Sequence, residues 1–148
     1  MKVIIDTNIA FSAILNPKSN ISDVVLNSQD FFQFFSCQYL KEEILNHKDK
    51  ILKISKYSET DFQETKEILY ENISFFDESL IPFEFWKDAS VLIRGVDSDD
   101  ISFVALSLFL DIKIWTGDKI LIEGLRKKGF VNFITTQELL KTRNEIIS

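Results

Sequence analysis

Val3-Ile4-Ile5-Asp6-Thr7-Asn8 is the stretch whose reading decides the fold. Three apolar residues in an unbroken run are the pattern of a strand buried on both faces. The run ends in a carboxylate, and Thr7-Asn8 follow as turn or capping residues. Ligands of open α/β sheets bind just outside the carboxyl ends of the strands. Asp6 is therefore a candidate site residue, and it reads equally well as the cap of the next helix.

Working outward, Ile9 to Leu15 reads as one or two helical turns, ended by Asn16-Pro17-Lys18-Ser19-Asn20. Ser22 or Asn20 would cap a second helix, with Val24, Val25 and Leu26 facing inward. Phe31 to Ser36 is short and aromatic, and is assigned as a second strand. Leu40, Ile44 and Leu45 give a helix that carries Glu42, Glu43 and His47; residues 47 to 53 continue it, whole or broken. Ser58 and Asp61 form a capping box for a helix to Tyr70, with Phe62, Thr65, Ile68 and Leu69 as its stripe. Ile73 to Phe76 is a third strand, and Pro82 opens a helix to Ile93. Residues 94 to 100 turn into a long apolar helix, Ile101 to Leu110. Ile112 to Thr116 is a fourth strand, Gly117-Asp118-Lys119 its turn, and Ile120 to Lys127 a helix stopped by Gly129. Phe130 to Ile134 is a fifth strand, and Thr135 with Glu138 caps a terminal helix. This alternation predicts an α/β fold: one domain over 1–148, with a mainly parallel sheet of about five strands between helices.

Composition narrows the function. The chain has 148 residues, 45% hydrophobic and 27% charged, which suits one globular domain. Its 14 phenylalanines supply an aromatic core. A single cysteine, Cys37, excludes an internal disulfide and a cysteine-based zinc cluster, and suits a reducing cytoplasm. A single histidine, His47, excludes a multi-histidine metal site. No secretory leader is read at the start, and no apolar run approaches the ~20 residues of a membrane helix. A soluble cytoplasmic protein without a membrane partner is expected. Net charge is −6, from 17 basic and 23 acidic residues, which argues against a broad basic surface gripping many phosphates. A carboxylate cluster that reaches phosphate through a metal ion remains compatible with it.

The acids stand out by position. Asp6 follows the first strand and Asp118 the fourth; Asp97, Asp99 and Asp100 lie at a helix mouth, and Glu43 on an early helix. If the first and fourth strands are neighbours at the switch point of the sheet, Asp6 and Asp118 share a rim. Two carboxylates ~4 Å apart repel by roughly 4 kcal/mol at an effective dielectric of 20. Raised pKa values or a bound cation must offset that. Oxygen donors without histidine or cysteine point to Mg²⁺ or Mn²⁺, and hence to metal-assisted phosphate-ester chemistry.

Four segments carry a family resemblance: Ile4-Ile5-Asp6-Thr7-Asn8, Leu40-Lys41-Glu42-Glu43-Ile44, Val96 to Leu106, and Trp115-Thr116-Gly117-Asp118-Lys119. In that order they resemble PIN domains, and in particular the bacterial toxin PIN (VapC-like) group. The resemblance implies a three-layer, Rossmann-like PIN fold and a Mg²⁺- or Mn²⁺-dependent endoribonuclease. It implies Asp6, Glu43, Asp100 and Asp118 as the main acids, with Asp6, Asp100 and Asp118 holding metal and Asp97 as an additional acid of the subgroup. Glu43 is preferred over Glu42, and Asp100 over Asp99, by the apolar residues that follow each. Asn8 and Thr116 match polar positions that orient ligands or water. Arg94, Lys119, Arg126, Lys127 and Lys128 are candidates for RNA phosphates, with Arg94 and Lys119 preferred because they stand next to acids, and His47, a turn after Glu43, is a candidate to approach substrate. The resemblance further implies cleavage to 5′-phosphate and 3′-hydroxyl ends, a cognate antitoxin covering the acidic rim, and self-association, for which Phe31, Phe32, Phe83, Phe85 and Trp86 are candidates.

Structural readings compete at each position. Asp118 would be a plain turn residue, Asp97 to Asp100 helix caps, Glu43 and His47 solvated surface, and Trp115 and Phe103 core. Two other functions share parts of this pattern. A haloacid-dehalogenase-type phosphatase wants a second Asp two positions after Asp6, where Asn8 stands. A catalytically weak PIN-like scaffold would keep the fold without the hydrolysis.

Overall fold

The computed structural model describes residues 1–147. Its centre is β1 (Lys2–Ile5), in which Val3, Ile4 and Ile5 are wholly buried. Parallel strands lie on both sides: β2 (Gln33–Cys37), paired Val3 to Phe34, and β4 (Lys113–Trp115), paired Ile5 to Trp115. With β3 (Ile73–Phe76) and β5 (Phe133–Ile134) the order is β3-β2-β1-β4-β5, every pair parallel. The chain runs outward from β1 through β2 to β3, then returns to the other side of β1. The switch point therefore lies between β1 and β4, and the residues after both strands meet at one edge.

Helices flank the sheet in two groups. The first contains α1 (Thr7–Leu15), α2 (Asn20–Asn27), α3 (Tyr39–Asn46), α4 (Lys48–Ser55) and α5 (Glu59–Glu71), all packed on α1, with α9 (Thr136–Ile147) against α2. Arg143 of α9 fixes that last contact through Asp23 at 2.8 Å and Ser28 at 3.0 Å. The second contains α6 (Phe83–Ile93), α7 (Ile101–Leu110) and α8 (Lys119–Arg126). In α7 every residue from Ser102 to Ser107 is buried, because it packs on α6, β2 and β4 together. Trp115 and Phe103 are core residues, and the Trp115 indole N–H donates to Thr136 Oγ1 at 3.0 Å.

Several boundaries differ from the sequence expectation. Phe31 and Phe32 precede β2 in a turn, where both amides donate to the Ser28 carbonyl at 2.9 Å. Ser19 caps α2 instead of Ser22 or Asn20. The Ser22 hydroxyl is buried and donates to the Ala13 and Asn16 carbonyls, closing the break between α1 and α2. On α5, Phe62 and Leu69 are buried but Ile68 is 52% exposed, and on α3 Leu45 is 62% exposed. β5 is two residues long. Among the described residues, no helix is long and apolar enough to cross a membrane.

Candidate active site

Asp6 takes its place from the strand that ends before it. One oxygen accepts the Ile9 N–H at 2.9 Å and caps α1, so the capping reading is correct for half of the carboxylate. The other, Oδ2, is buried without a hydrogen-bond partner, in a side chain only 1% exposed. A buried charge left in that state is costly, and the orphaned oxygen calls for a proton or a cation. On β4's side of the switch point, Thr116 is wholly buried, and its Oγ1 accepts the Asp118 N–H at 3.1 Å. Asp118 in turn caps α8 through Leu121 N at 3.1 Å. Thr116 lies beside Asp6 without making a bond to Oδ2.

The helix mouth supplies the rest. Asp97 Oδ1 accepts the Asp99 N–H at 3.0 Å and shapes the single 3₁₀ turn Ser98–Asp100. Asp100 stands at the start of α7 but makes no capping bond with its side chain. The residue is 8% exposed, and capping does not account for its carboxylate. Asp97, Asp100 and Asp118 each bring an oxygen within 4.8 Å of the other two. An octahedral Mg²⁺ with bonds of about 2.1 Å separates its ligand oxygens by roughly 3–4 Å. The donor set is all hard oxygen, and with Asp6's unpartnered atom adjoining, the residues present fit such an ion.

Charge in this corner is held at a cost. Burial, then repulsion from Asp6, Asp97, Asp118 and Glu43, pushes the Asp100 carboxyl up to about 8. Burial also pushes Asp6 up to about 6, opposed by Thr116 and the Ile9 amide and reinforced by Asp118 and Glu43. Without a cation, the cluster is a set of carboxylates that cannot all be ionised at neutral pH.

Glu43 enters from α3. The Thr7 hydroxyl, on the first turn of α1, donates to its Oε1 at 2.8 Å. Burial raises the Glu43 pKa; the Thr7 bond and His47 lower it, and Asp99 and Asp97 raise it. Glu42 is exposed, so it is Glu43 that faces the acids. The anchoring of α3 comes from a residue remote in sequence, which local spacing does not reveal. Its first residues lack a side-chain cap of their own. Glu78, from a 3₁₀ turn after β3, accepts the Gln38 and Tyr39 amides at 3.1 and 2.9 Å. A carboxylate there also meets the helix dipole favourably.

Part of the cluster borders a cleft of about 230 Å³, which Asp6 and Asp118 do not line. Glu43, Asp97, Asp99 and Asp100 form its acidic side; Thr7, Asn8, Phe11, His47 and Lys50 form the rest. Arg94 and Lys119 are not among the cleft residues. Arg94 is exposed in a neighbouring depression beside Asp97, where its carbonyl accepts from Lys128 Nζ. Lys119 is exposed on the first turn of α8. Asn8 is exposed at the cleft edge.

A PIN-domain family model matches residues 4–144. The chain belongs to the PIN-domain family. The match covers β1 to α9 and so contains every acid described above. No curated protein matches this PIN domain. Among solved structures it is similar to a chain in the crystal structure of VapBC2 from Rickettsia felis bound to a DNA fragment from their promoter. That similarity has a TM-score of 0.67 and 13% identity, and covers 91% of this chain and 97% of that one. At that identity the likeness is one of fold: this PIN domain has the five-stranded parallel α/β architecture of its family.

Proposed function

We propose that this PIN domain, acting as one unit over 1–148, is an endoribonuclease dependent on Mg²⁺ or Mn²⁺, and the toxin of a VapC-like toxin–antitoxin pair. The observation that carries the reading is the convergence of Asp97, Asp100 and Asp118 beside the unpartnered, buried oxygen of Asp6. Asp97, Asp100 and Asp118 would hold the cation, with the unpartnered oxygen of Asp6 as the further donor. Bound there, the ion supplies Lewis-acid stabilisation of charge on the phosphoryl group and makes a bound water more acidic. Asp6, fixed by its cap to Ile9, and Thr116, fixed by the Asp118 amide, keep the cluster in register. Glu43, its pKa raised by burial and its position set by Thr7, accepts the proton of the attacking water. Asn8 and Thr116 orient water and ligand oxygens. Arg94 and Lys119 meet phosphates farther along the RNA, outside the cleft.

The VapBC2 likeness supports a cognate antitoxin as the inhibiting partner. Exposed Phe83 and Leu80, 78% and 67% accessible, support self-association. The free, buried thiol of Cys37 suits a cytoplasmic setting.

The test is cleavage of single-stranded RNA by the purified chain in Mg²⁺, in Mn²⁺ and in chelator, alongside Asp6→Asn. Hydrolysis with either ion, and its loss in chelator and in the variant, is expected. Full metal-dependent cleavage by a folded Asp6→Asn protein would sink the assignment.

A further inference from the structure

The wall of the cleft facing the acids is built in a repeating way. Thr7 and Phe11 are four residues apart on α1; Glu43 and His47 are four apart along α3 and its C-cap. Residues at that spacing lie one above the other on a helix face. The two pairs meet as successive rungs: the Thr7–Glu43 hydrogen bond at 2.8 Å, then Phe11 and His47 edge to face at 6.2 Å. Lys50, in the first turn of α4, completes the wall with its ammonium 5.6 Å from the centroid of the Phe11 ring. Phe11 is half-buried against the core, so its ring is held from behind, while His47 and Lys50 are exposed.

Beyond Glu43, this wall carries the cations of the cleft, while Asp97, Asp99 and Asp100 line it from the helix mouth. Four carboxylates, Glu43, Asp97, Asp99 and Asp100, face the cleft, and the side chains lining it that can carry positive charge are His47 and Lys50. A polyanionic strand lying here would have the phosphate at the acids compensated by the cation. Its neighbouring phosphate would meet bare carboxylates on one side and Lys50 on the other. A lysine beside an aromatic face is also the pairing with which proteins hold unpaired nucleotides: the ring takes a base or sugar face, and the cation takes the phosphate.

We infer that Phe11, His47 and Lys50 form a nucleotide subsite, in which Lys50 binds the phosphate next to the scissile one and the Phe11–His47 pair packs against its base. The assignment rests on the nuclease reading for which phosphate is cut, but its binding chemistry stands apart from hydrolysis. Adjacency to acids in the chain favours Arg94 and Lys119; the fold instead puts Lys50, two turns beyond Glu43 and adjacent to no acid of the cluster, inside the cleft.

The experiment measures anisotropy of a short labelled single-stranded RNA in Mg²⁺ across a salt series. All proteins carry Glu43→Gln, which is expected to block hydrolysis while leaving Asp97, Asp100 and Asp118 to hold the ion, and melting curves establish that each is folded. Lys50→Ala is expected to weaken binding roughly tenfold and to flatten the log–log salt slope by about 0.7, the share of one phosphate contact on a single strand. Lys50→Arg is expected to restore both. Phe11→Leu, which keeps most of the packing volume, is expected to weaken binding roughly fivefold and leave the slope alone. Unchanged affinity and slope in Lys50→Ala, or a parent protein that does not bind RNA, would overturn the subsite. The nuclease reading fails separately: an unsubstituted chain that leaves RNA intact in Mg²⁺ and Mn²⁺ removes the hydrolysis while Lys50-dependent binding persists.

Discussion

Replacing Asp100 by Asn should make the metal-free protein more stable. Burial and four neighbouring acids raise the Asp100 pKa from its ordinary 3.8 to about 8, so the folded protein holds that proton more tightly than the unfolded chain. For a carboxyl raised in this way, the stability is fully present below pH 3.8 and is lost as pH climbs through about 8. One pKa unit corresponds to about 1.4 kcal/mol, so the whole displacement has a ceiling of about 6 kcal/mol. The carboxyl borders an open cleft and shares its repulsion with Asp6, Asp97 and Asp118. Solvent screening and that sharing reduce the recoverable part to about 2 kcal/mol. In a chain of this length each kcal/mol moves the melting temperature by roughly 2–4 °C, so a gain of about 4–8 °C is expected at pH 8. Thermal unfolding followed by circular dichroism in chelator, at pH 8 and pH 5, reads it. The gap should shrink to about a third or less at pH 5, where the folded wild type already carries its proton. Saturating Mn²⁺ should reverse the order, since an ion at about 100 times its Kd adds about 2.7 kcal/mol to the wild type. An Asp100→Asn protein melting at or below the wild type at pH 8, or a gap that widens toward pH 5, would refute the reasoning.

Thr7→Val removes the 2.8 Å bond that sets Glu43 while keeping the side-chain volume. It should cost about 1 kcal/mol or less in urea unfolding, yet slow RNA cleavage about tenfold, because Glu43 loses its fixed position. Glu78→Ala strips the acceptors from the Gln38 and Tyr39 amides at the start of α3. A loss of about 1 kcal/mol is expected in the same unfolding assay, with Glu78→Gln recovering part of it. Both variants should leave Mn²⁺ binding by Asp97, Asp100 and Asp118 intact in calorimetry.

What the sequence made legible follows how local each cause is. Val3 to Ile5 are apolar because they are buried on all sides, the apolar run of α7 reflects the burial of its centre from Ser102 to Ser107, and both elements form where expected. The capping boxes at Ser58 and Thr135 involve residues three apart, and both are present. That β1 neighbours β4 is a matter of topology, readable only through the βα alternation and the switch-point rule; once it holds, Asp6 and Asp118 share a rim. Contacts between helices that are remote in sequence escape such reasoning. Thr7 meets Glu43 across 36 residues, Glu78 reaches Tyr39 across 39, and Lys50 swings over Phe11. None of these leaves a mark in local spacing. The exposed faces misread at Ile68 and Leu45 have the same origin: a helical stripe names the apolar residues without fixing how wide the covering neighbour is.

The site acids show why a residue need not choose between cap and function. Asp6 and Asp118 each use one oxygen to cap a helix, α1 and α8. In Asp6 the second oxygen is left unpartnered in the interior. Capping fixes the direction of the carboxylate, and a directed carboxylate is what a metal cluster needs.

The central claim is tested most directly by mapping the ends of RNA fragments released by the wild-type chain and by Asp100→Asn in Mn²⁺. Fragments with 5′-phosphate and 3′-hydroxyl ends are expected from the wild type, none in chelator, and none above background from the variant. Cleavage by Asp100→Asn at the wild-type rate, or wild-type products that form without a divalent cation, would contradict it.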